Sequence, residues 1–236
     1  TSPNPPVGAV ILSATGAVVG IGATQPVGGA HAEVMALRAA GEKARGGTAV
    51  VTLEPCAHTG RTGPCATALI DAGIARVFYL HPDPTPQAGG GAQALAAAGV
   101  EVGQLTAPDG VEDAVRAWLR AVKLQRPHVT LKFAQTLDGF TAAADGTSQW
   151  ITGPKAREWV HADRARRDAI IIGTGTALAD NPSLTARFSD GSLREHQPRR
   201  VVIGTREVPA QALAADRAAI AGLPSNRSPY SSRSVS

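Results

Sequence analysis

Long apolar runs, cysteine and aromatic side chains are all scarce in this chain of 236 residues. The longest apolar stretches, VGAVIL (7–12) and AIIIG (169–173), fall far short of the ~18–20 residues that a membrane span requires. No basic-then-apolar leader opens the sequence, so a soluble cytoplasmic protein is expected. With two cysteines in all, the chain is not a small disulfide-stapled scaffold. Aromatic residues make up 4%, whereas nucleic-acid binders usually interleave aromatics with a dense basic stripe. The net charge of +4, with Arg164, Arg166, Arg167, Arg199 and Arg200 clustered late, therefore reads as a solvated face or as a contact for an anionic small molecule.

A hydrophobic content of 43% is enough to bury one large core or two moderate ones. Apolar runs bounded by Gly or Pro alternate with Ala-rich helical windows, which is the α/β signature. Strands are predicted at 7–12 and 17–22, joined by a turn at Ala14–Gly16, and a helix at 31–40 stops at Gly41. Strand TAVVTL (48–53) delivers the chain to Glu54, Pro55 and Cys56. A helix from Pro64 to Gly73, strand 75–80, helix 91–98, strand 100–105 and helix 109–124 complete a first domain, 1–124. Pro127 marks a second, 125–236, with a strand in RPHVTLKFAQ, a turn and edge strand in LDGFTAAADG, a helix at 154–167, strand 169–173, a loop rich in Asp, Asn and Pro, and strand 199–204. The Ser-rich segment from about 223 has no period and is expected to be disordered.

Both cysteines fall within PCAHTGRTGPC (55–65), each directly after a proline, and HAE (31–33) stands upstream. A disulfide, a metal site and two buried thiols are the alternatives. His31, Cys56 and Cys65 together give three borderline or soft ligands, the number that leaves a catalytic zinc its fourth position for water. Each is predicted at the end of an element, and element ends along one sheet edge are where α/β proteins hold ligands. Side chains two apart on a helix point to different sides, so His31 and Glu33 converge only if the motif occupies the first turn. In that place Glu33 can take a proton from water and pass it to a leaving amine. Zinc deaminases of bases carry H-x-E followed by P-C-x-x-C. Here eight residues separate the cysteines, so the match to nucleic-acid and nucleoside deaminases is imperfect.

PNPxVGAVI near the start, HAE, and TLEPCxHxGxxxPC together resemble the deaminase half of a bifunctional family of riboflavin biosynthesis, diaminohydroxyphosphoribosylaminopyrimidine deaminase / 5-amino-6-(5-phosphoribosylamino)uracil reductase. The resemblance runs over nearly all of residues 1–210 and implies a cytidine-deaminase-like three-layer α/β/α domain followed by a partial dihydrofolate-reductase-like α/β domain. It implies zinc on His31, Cys56 and Cys65, Glu33 as the proton shuttle, and substrate contacts from Asn4, His58 and Arg61. Asn4 offers both a donor and an acceptor to a pyrimidine edge, and His58 and Arg61 suit a ribose phosphate. Thr24 stands where this family often carries histidine, which weakens a substrate role for that loop.

VTLKFAQTLDGFTA (129–142), SQWIT (148–152) and IIGTGTALADNPSLTAR (171–187) look like the reductase half of the same family. The resemblance implies NADPH along Ala134, Trp150, Thr176, Asp180 and Thr205, and substrate held by Ser148, Arg164, Leu184 and Arg187. Guanidinium forks at Arg164 and Arg187 suit phosphate oxygens. The partners implied are a phosphoribosylated pyrimidine and further copies of the chain, with no nucleic acid and no membrane. Against the family pattern, a helix before TSPNP and a glycine-rich nucleotide loop after RRVVIG are missing, so the expectation is a chain truncated at both ends whose reductase half is inactive. The alternative is a non-catalytic remnant held together by zinc.

Overall fold

The computed structural model describes residues 3–58, 63–86, 88–107, 114–209 and the backbone of 219–220. Two compact units divide it, Thr1–Thr130 and Leu131–Ser236.

In the first unit, strands β1 (Gly8–Leu12) and β2 (Val18–Ala23) form an antiparallel hairpin. Helix α1 (Ala32–Ala40) and a 3-10 turn (Gly41–Ala44) lead into β3 (Thr48–Leu53). Helix α2 (Cys65–Asp71), β4 (Arg76–His81), α3 (Gly91–Ala97), β5 (Glu101–Gln104) and α4 (Val115–Leu124) follow. The sheet order is β2-β1-β3-β4-β5, antiparallel through β2, β1 and β3 and parallel through β3, β4 and β5. These elements lie where periodicity predicts them, to within one or two residues at their described ends. The first part of the predicted helix 109–124 lies outside the described residues.

Period-2 alternation explains which sheet face is covered. Ala9, Ile11, Ala49, Val51 and Val77 are buried, while Val10, Val50 and Phe78 between them are only half-buried. The buried set shares one core with Ala32, Ala36 and Ala40 of α1, Leu69 of α2, Leu95 of α3 and Leu119 of α4. Gly20 and Gly22 of β2 bring α1 close. A Cβ at either would collide with a carbonyl oxygen of α1, that of Ala36 or of Ala32. The alanine face of the helix and the glycine face of the strand are thus a matched pair, and their close approach fixes the start of α1.

The second unit contains α5 (Pro154–Arg164), β6 (Ala169–Gly173), α6 (Thr174–Asp180), β7 (Arg199–Ile203) and the short β8 (Ala219–Ile220), in a parallel sheet of order β6-β7-β8. Three expectations need correction here. RPHVTLKFAQ is not a strand, and Val129, Leu131 and Phe133 are 81%, 83% and 59% exposed. β-Propensity marks a fit to a half-buried pleated surface, and among the described residues this segment pairs with no strand. LDGFTAAADG forms two tight turns, closed by Thr136 N–H to Phe140 O (2.9 Å) and Ala143 N–H to Thr147 O (2.8 Å), with no edge strand. The loop expected after strand 169–173 begins as α6, which ends at Asn181 in the left-handed conformation that suits asparagine after a helix. The buried cluster among the described residues of this unit is small: Ala177, Leu184 and Val202.

Candidate metal centre and flanking sites

His31 is the N-cap of α1 with extended backbone (φ −71°, ψ 162°), and Glu33 is the second helical residue. The cap conformation removes the convergence problem posed by two side chains two positions apart. Cys56 lies three residues past the end of β3, and Cys65 is the first residue of α2. Parallel pairing of β3 with β4 and the packing of α1 against α2 bring these ends together.

The ligand atoms of His31, Cys56 and Cys65 all lie within 4.8 Å of one another. His31 Nδ1 stands 3.2 Å from Cys65 Sγ and 3.6 Å from Cys56 Sγ. Tetrahedral zinc with bonds of ~2.3 Å to sulfur and ~2.0 Å to nitrogen spaces its donors by roughly 3.5 Å, so the set fits the ion. The backbone N–H of Cys65 donates to Cys56 Sγ at 3.4 Å, and the Ala66 N–H to Cys56 O at 3.2 Å. Both cysteines are buried and free, so the disulfide alternative does not hold in this structure.

The electrostatics separate the two thiols. Hydrogen bonding from Cys65 and His31 pulls Cys56 down to about 4, whereas Cys65, bonded to that thiolate and buried beside Glu33, is pushed up. Hydrogen bonding to Cys56 raises His31, with burial opposing. Glu33 is 4% exposed, and burial raises its carboxyl well above the ordinary carboxylate value. A raised, buried carboxyl beside a metal-ligand trio holds its proton more readily than an ordinary carboxylate and is suited to proton exchange.

Of the other residues expected at this site, Asn4 is half-buried just before β1 and His58 is exposed two residues past Cys56. Arg61 lies outside the described residues. Sequence reasoning gave Glu54 no role, yet it is 8% exposed and its carboxylate accepts three backbone N–H groups. The available signal was a carboxylate between a strand end and Pro-Cys, opposite a helix start, GGG (89–91), with no capping side chain of its own.

In the second unit, Arg164 and Arg187 converge on Thr185. Arg164 Nη1 donates to the Thr185 carbonyl at 2.7 Å, and Arg187 Nε to its hydroxyl at 2.9 Å. Arg164 Nε is buried without a partner, which leaves a donor for an anion. His161 shares this cationic setting, and burial together with Arg164 lowers its pKa. Leu184, with φ 54°, turns its side chain into the cluster with Ala177 and Val202, so only its backbone can face a substrate. Gln197 clasps the neighbouring Ala186, accepting from its N–H and donating to its carbonyl, each at 2.8 Å.

Thr176 and Asp180 are exposed on α6, and Thr205 is exposed just past β7, where Gly204 sits against Thr174. Thr176, near the start of α6, and Thr205 thus follow closely on the C-terminal ends of parallel strands β6 and β7, where open α/β sheets take ligands, whereas Asp180 is the last residue of α6. Ser148 and Trp150 line a separate open concavity of about 660 Å³ with Thr136, Asp138 and Phe140. Arg157 lies over the Trp150 ring at 4.4 Å from its centroid. Ala134 is half-buried in the irregular segment before these turns and does not line that concavity.

A mixed five-stranded sheet carrying a His/Cys/Cys trio and a buried glutamate at its edge is a cytidine-deaminase-like domain, here joined to a reductase-like α/β unit. The family model described as the cytidine and deoxycytidylate deaminase zinc-binding region matches residues 1–81, and that of the RibD C-terminal domain matches residues 127–223. The riboflavin biosynthesis protein RibD of Corynebacterium ammoniagenes is 72% identical over 208 residues, covering 88% of this chain and 62% of the relative. That of Mycobacterium tuberculosis is 52% identical over 213 residues, covering 90% and 63%. A solved diaminohydroxyphosphoribosylaminopyrimidine deaminase / 5-amino-6-(5-phosphoribosylamino)uracil reductase from Thermotoga maritima superposes with a TM-score of 0.75 at 41% identity, covering 85% of this chain and 56% of that one. RibD of Acinetobacter baumannii gives 0.76 at 44% identity, covering 90% and 60%. Along both of its units the chain is similar to RibD proteins, and it spans about three fifths of the length of these curated relatives.

Proposed function

We propose that the first unit is a zinc aminohydrolase that removes ammonia from 2,5-diamino-6-(5-phosphoribosylamino)pyrimidin-4-one in riboflavin biosynthesis. The observation that carries the reading is the trio of His31, Cys56 and Cys65 within 4.8 Å, with the carboxyl of Glu33 buried beside it. His31, Cys56 and Cys65 would hold zinc, which when bound lowers the pKa of a water and so supplies a nucleophile near neutral pH. Glu33 would accept the proton of the attacking water and hand it to the departing amine. Its burial keeps that proton exchange out of bulk solvent. Asn4 would meet the pyrimidine edge, and His58 and Arg61 the ribose phosphate. The cysteine spacing of eight residues and the 4% aromatic content favour a small-molecule substrate over a polynucleotide.

The second unit would be the half built to reduce the phosphoribosyl group to a phosphoribityl chain with NADPH, and within these 236 residues it is expected not to turn over. Support comes from the two guanidiniums converging on Thr185, with one donor of Arg164 unpartnered. Ser148, the Leu184 backbone, Arg164 and Arg187 would hold the substrate, and Ala134, Trp150, Thr176, Asp180 and Thr205 the dinucleotide. Domains of 1–124 and 125–236, a cytoplasmic location and assembly with further copies of the chain belong to the same proposal. Among the described residues no helix is long and apolar enough to cross a membrane.

The test is ammonia release from the diaminopyrimidine phosphoribotide by the zinc-loaded chain. Stoichiometric zinc with no ammonia released would favour the structural remnant.

A further inference from the structure

Glu54 is used by no step of the proposed reaction, yet it is the most heavily engaged buried carboxylate near the metal centre. Its Oε2 accepts the Asp83 N–H at 3.2 Å, and its Oε1 accepts the N–H groups of Gly90 at 3.3 Å and Ala92 at 3.0 Å. Helix α3 needs such a partner. Its N-cap, Gly90, has no side chain and sits in the left-handed region at φ 95°, so nothing local satisfies the first turn. Glu54, 36 residues earlier in sequence, supplies the missing cap, and its charge opposes the positive end of the helix dipole.

The same contacts determine where Cys56 stands. The Glu54 backbone N–H donates to His81 O at 2.8 Å, and the Ala57 N–H donates to Ala88 O at 3.1 Å. Gly91 lies so close to the carbonyl of Pro55 that a Cβ there would collide with it. The stretch from Glu54 to Ala57 is therefore held by His81, Ala88 and Gly91, and the Glu54 carboxylate adds its bonds to Asp83, Gly90 and Ala92.

We infer that Glu54 is a positioning residue for the metal centre: its carboxylate caps α3 from outside the helix and so fixes the Pro55–Ala57 turn that presents Cys56. This rests on the zinc reading given above. Glutamine at this position keeps the shape but has one acceptor oxygen, so its NH2 must face either the Asp83 N–H or the Gly90 and Ala92 pair.

The test measures zinc affinity by competition with a chromogenic chelator, and the cobalt(II) spectrum, in the 236-residue chain and in Glu54→Gln. Groups that orient ligands typically change metal affinity by ~10–100-fold, so Glu54→Gln with unaltered far-ultraviolet circular dichroism binds zinc weaker by that factor. The cobalt–thiolate absorption also loses intensity. Glu54→Asp keeps the charge and both oxygens on a shorter arm, shows a smaller loss, and carries the test if the glutamine variant does not fold. A purely stabilising side chain would lower Tm alone. Zinc affinity within about threefold of the parent, with an unchanged cobalt spectrum, overturns the inference, because that lies below the range for an orienting group. Zinc absent from the parent would sink the metal reading and this inference together. Zinc bound without ammonia release would sink only the proposed reaction.

Discussion

Cys56 and Cys65 are chemically unlike although both are buried cysteines nine positions apart. Cys56 accepts hydrogen bonds from the Cys65 thiol and backbone and lies beside His31, so it ionises far below an ordinary thiol, at about 4, while Cys65 keeps its proton. In the metal-free chain, absorbance near 240 nm is expected to show one thiolate at pH 6 that disappears on acidification with a midpoint near 4. Because this pKa is depressed in the folded state, the associated stability is fully present above the ordinary thiol value and is lost as pH falls through about 4. Buried Glu33 works in the opposite sense: its raised value favours the metal-free fold at low pH, and that contribution fades as pH rises through it. A metal-free chain with no thiolate below pH 8 would contradict this account of the pair.

At the scale of elements, the placement of His31 depends on a helix packed against glycines. Gly22→Val would drive a side chain into the first turn of α1, at the Ala32 carbonyl and Met35. Overpacking of this kind costs ~1–3 kcal/mol, and urea denaturation should register it. Zinc affinity should fall with it, since His31 and Glu33 ride on that turn. Unaltered stability and affinity would mean that β2 and α1 are not coupled to the site. The elements around this centre were legible in sequence because each has its own period and punctuation: TAVVTL ends at Glu54, and Pro64 opens α2. HAE was legible as a cap because only a first-turn position lets His31 and Glu33 meet. Glu54 was not, since its partners lie 29 to 38 residues away and backbone N–H groups leave no mark in sequence. α6 escaped for another reason: GTG looks like a turn, and the helix depends on the burial of Thr174 and Ala177.

The two units differ as whole bodies. The first has a core drawn from both the sheet and its helices, whereas the described core of the second is Ala177, Leu184 and Val202, with Leu131, Phe133, Leu137 and Phe140 exposed. A dinucleotide must be held within ~3–3.5 Å of its reaction partner, and among the described residues of this unit few buried side chains are available to fix it there. We expect NADPH titration of the 236-residue chain to show weak binding or none, and no NADPH oxidation with the deaminated substrate. Turnover that depends on Asp180 or Arg187 would contradict this.

The central claim is that a metal trio and one buried carboxyl make the first unit a deaminase. The most direct measurement compares zinc content and ammonia release in the parent and Glu33→Gln. Removing a positioned general acid/base typically costs ~10²–10⁴ in rate, so the variant should keep its zinc and lose activity by that factor. Full zinc with ammonia release within about threefold of the parent would show that Glu33 moves no proton in the reaction.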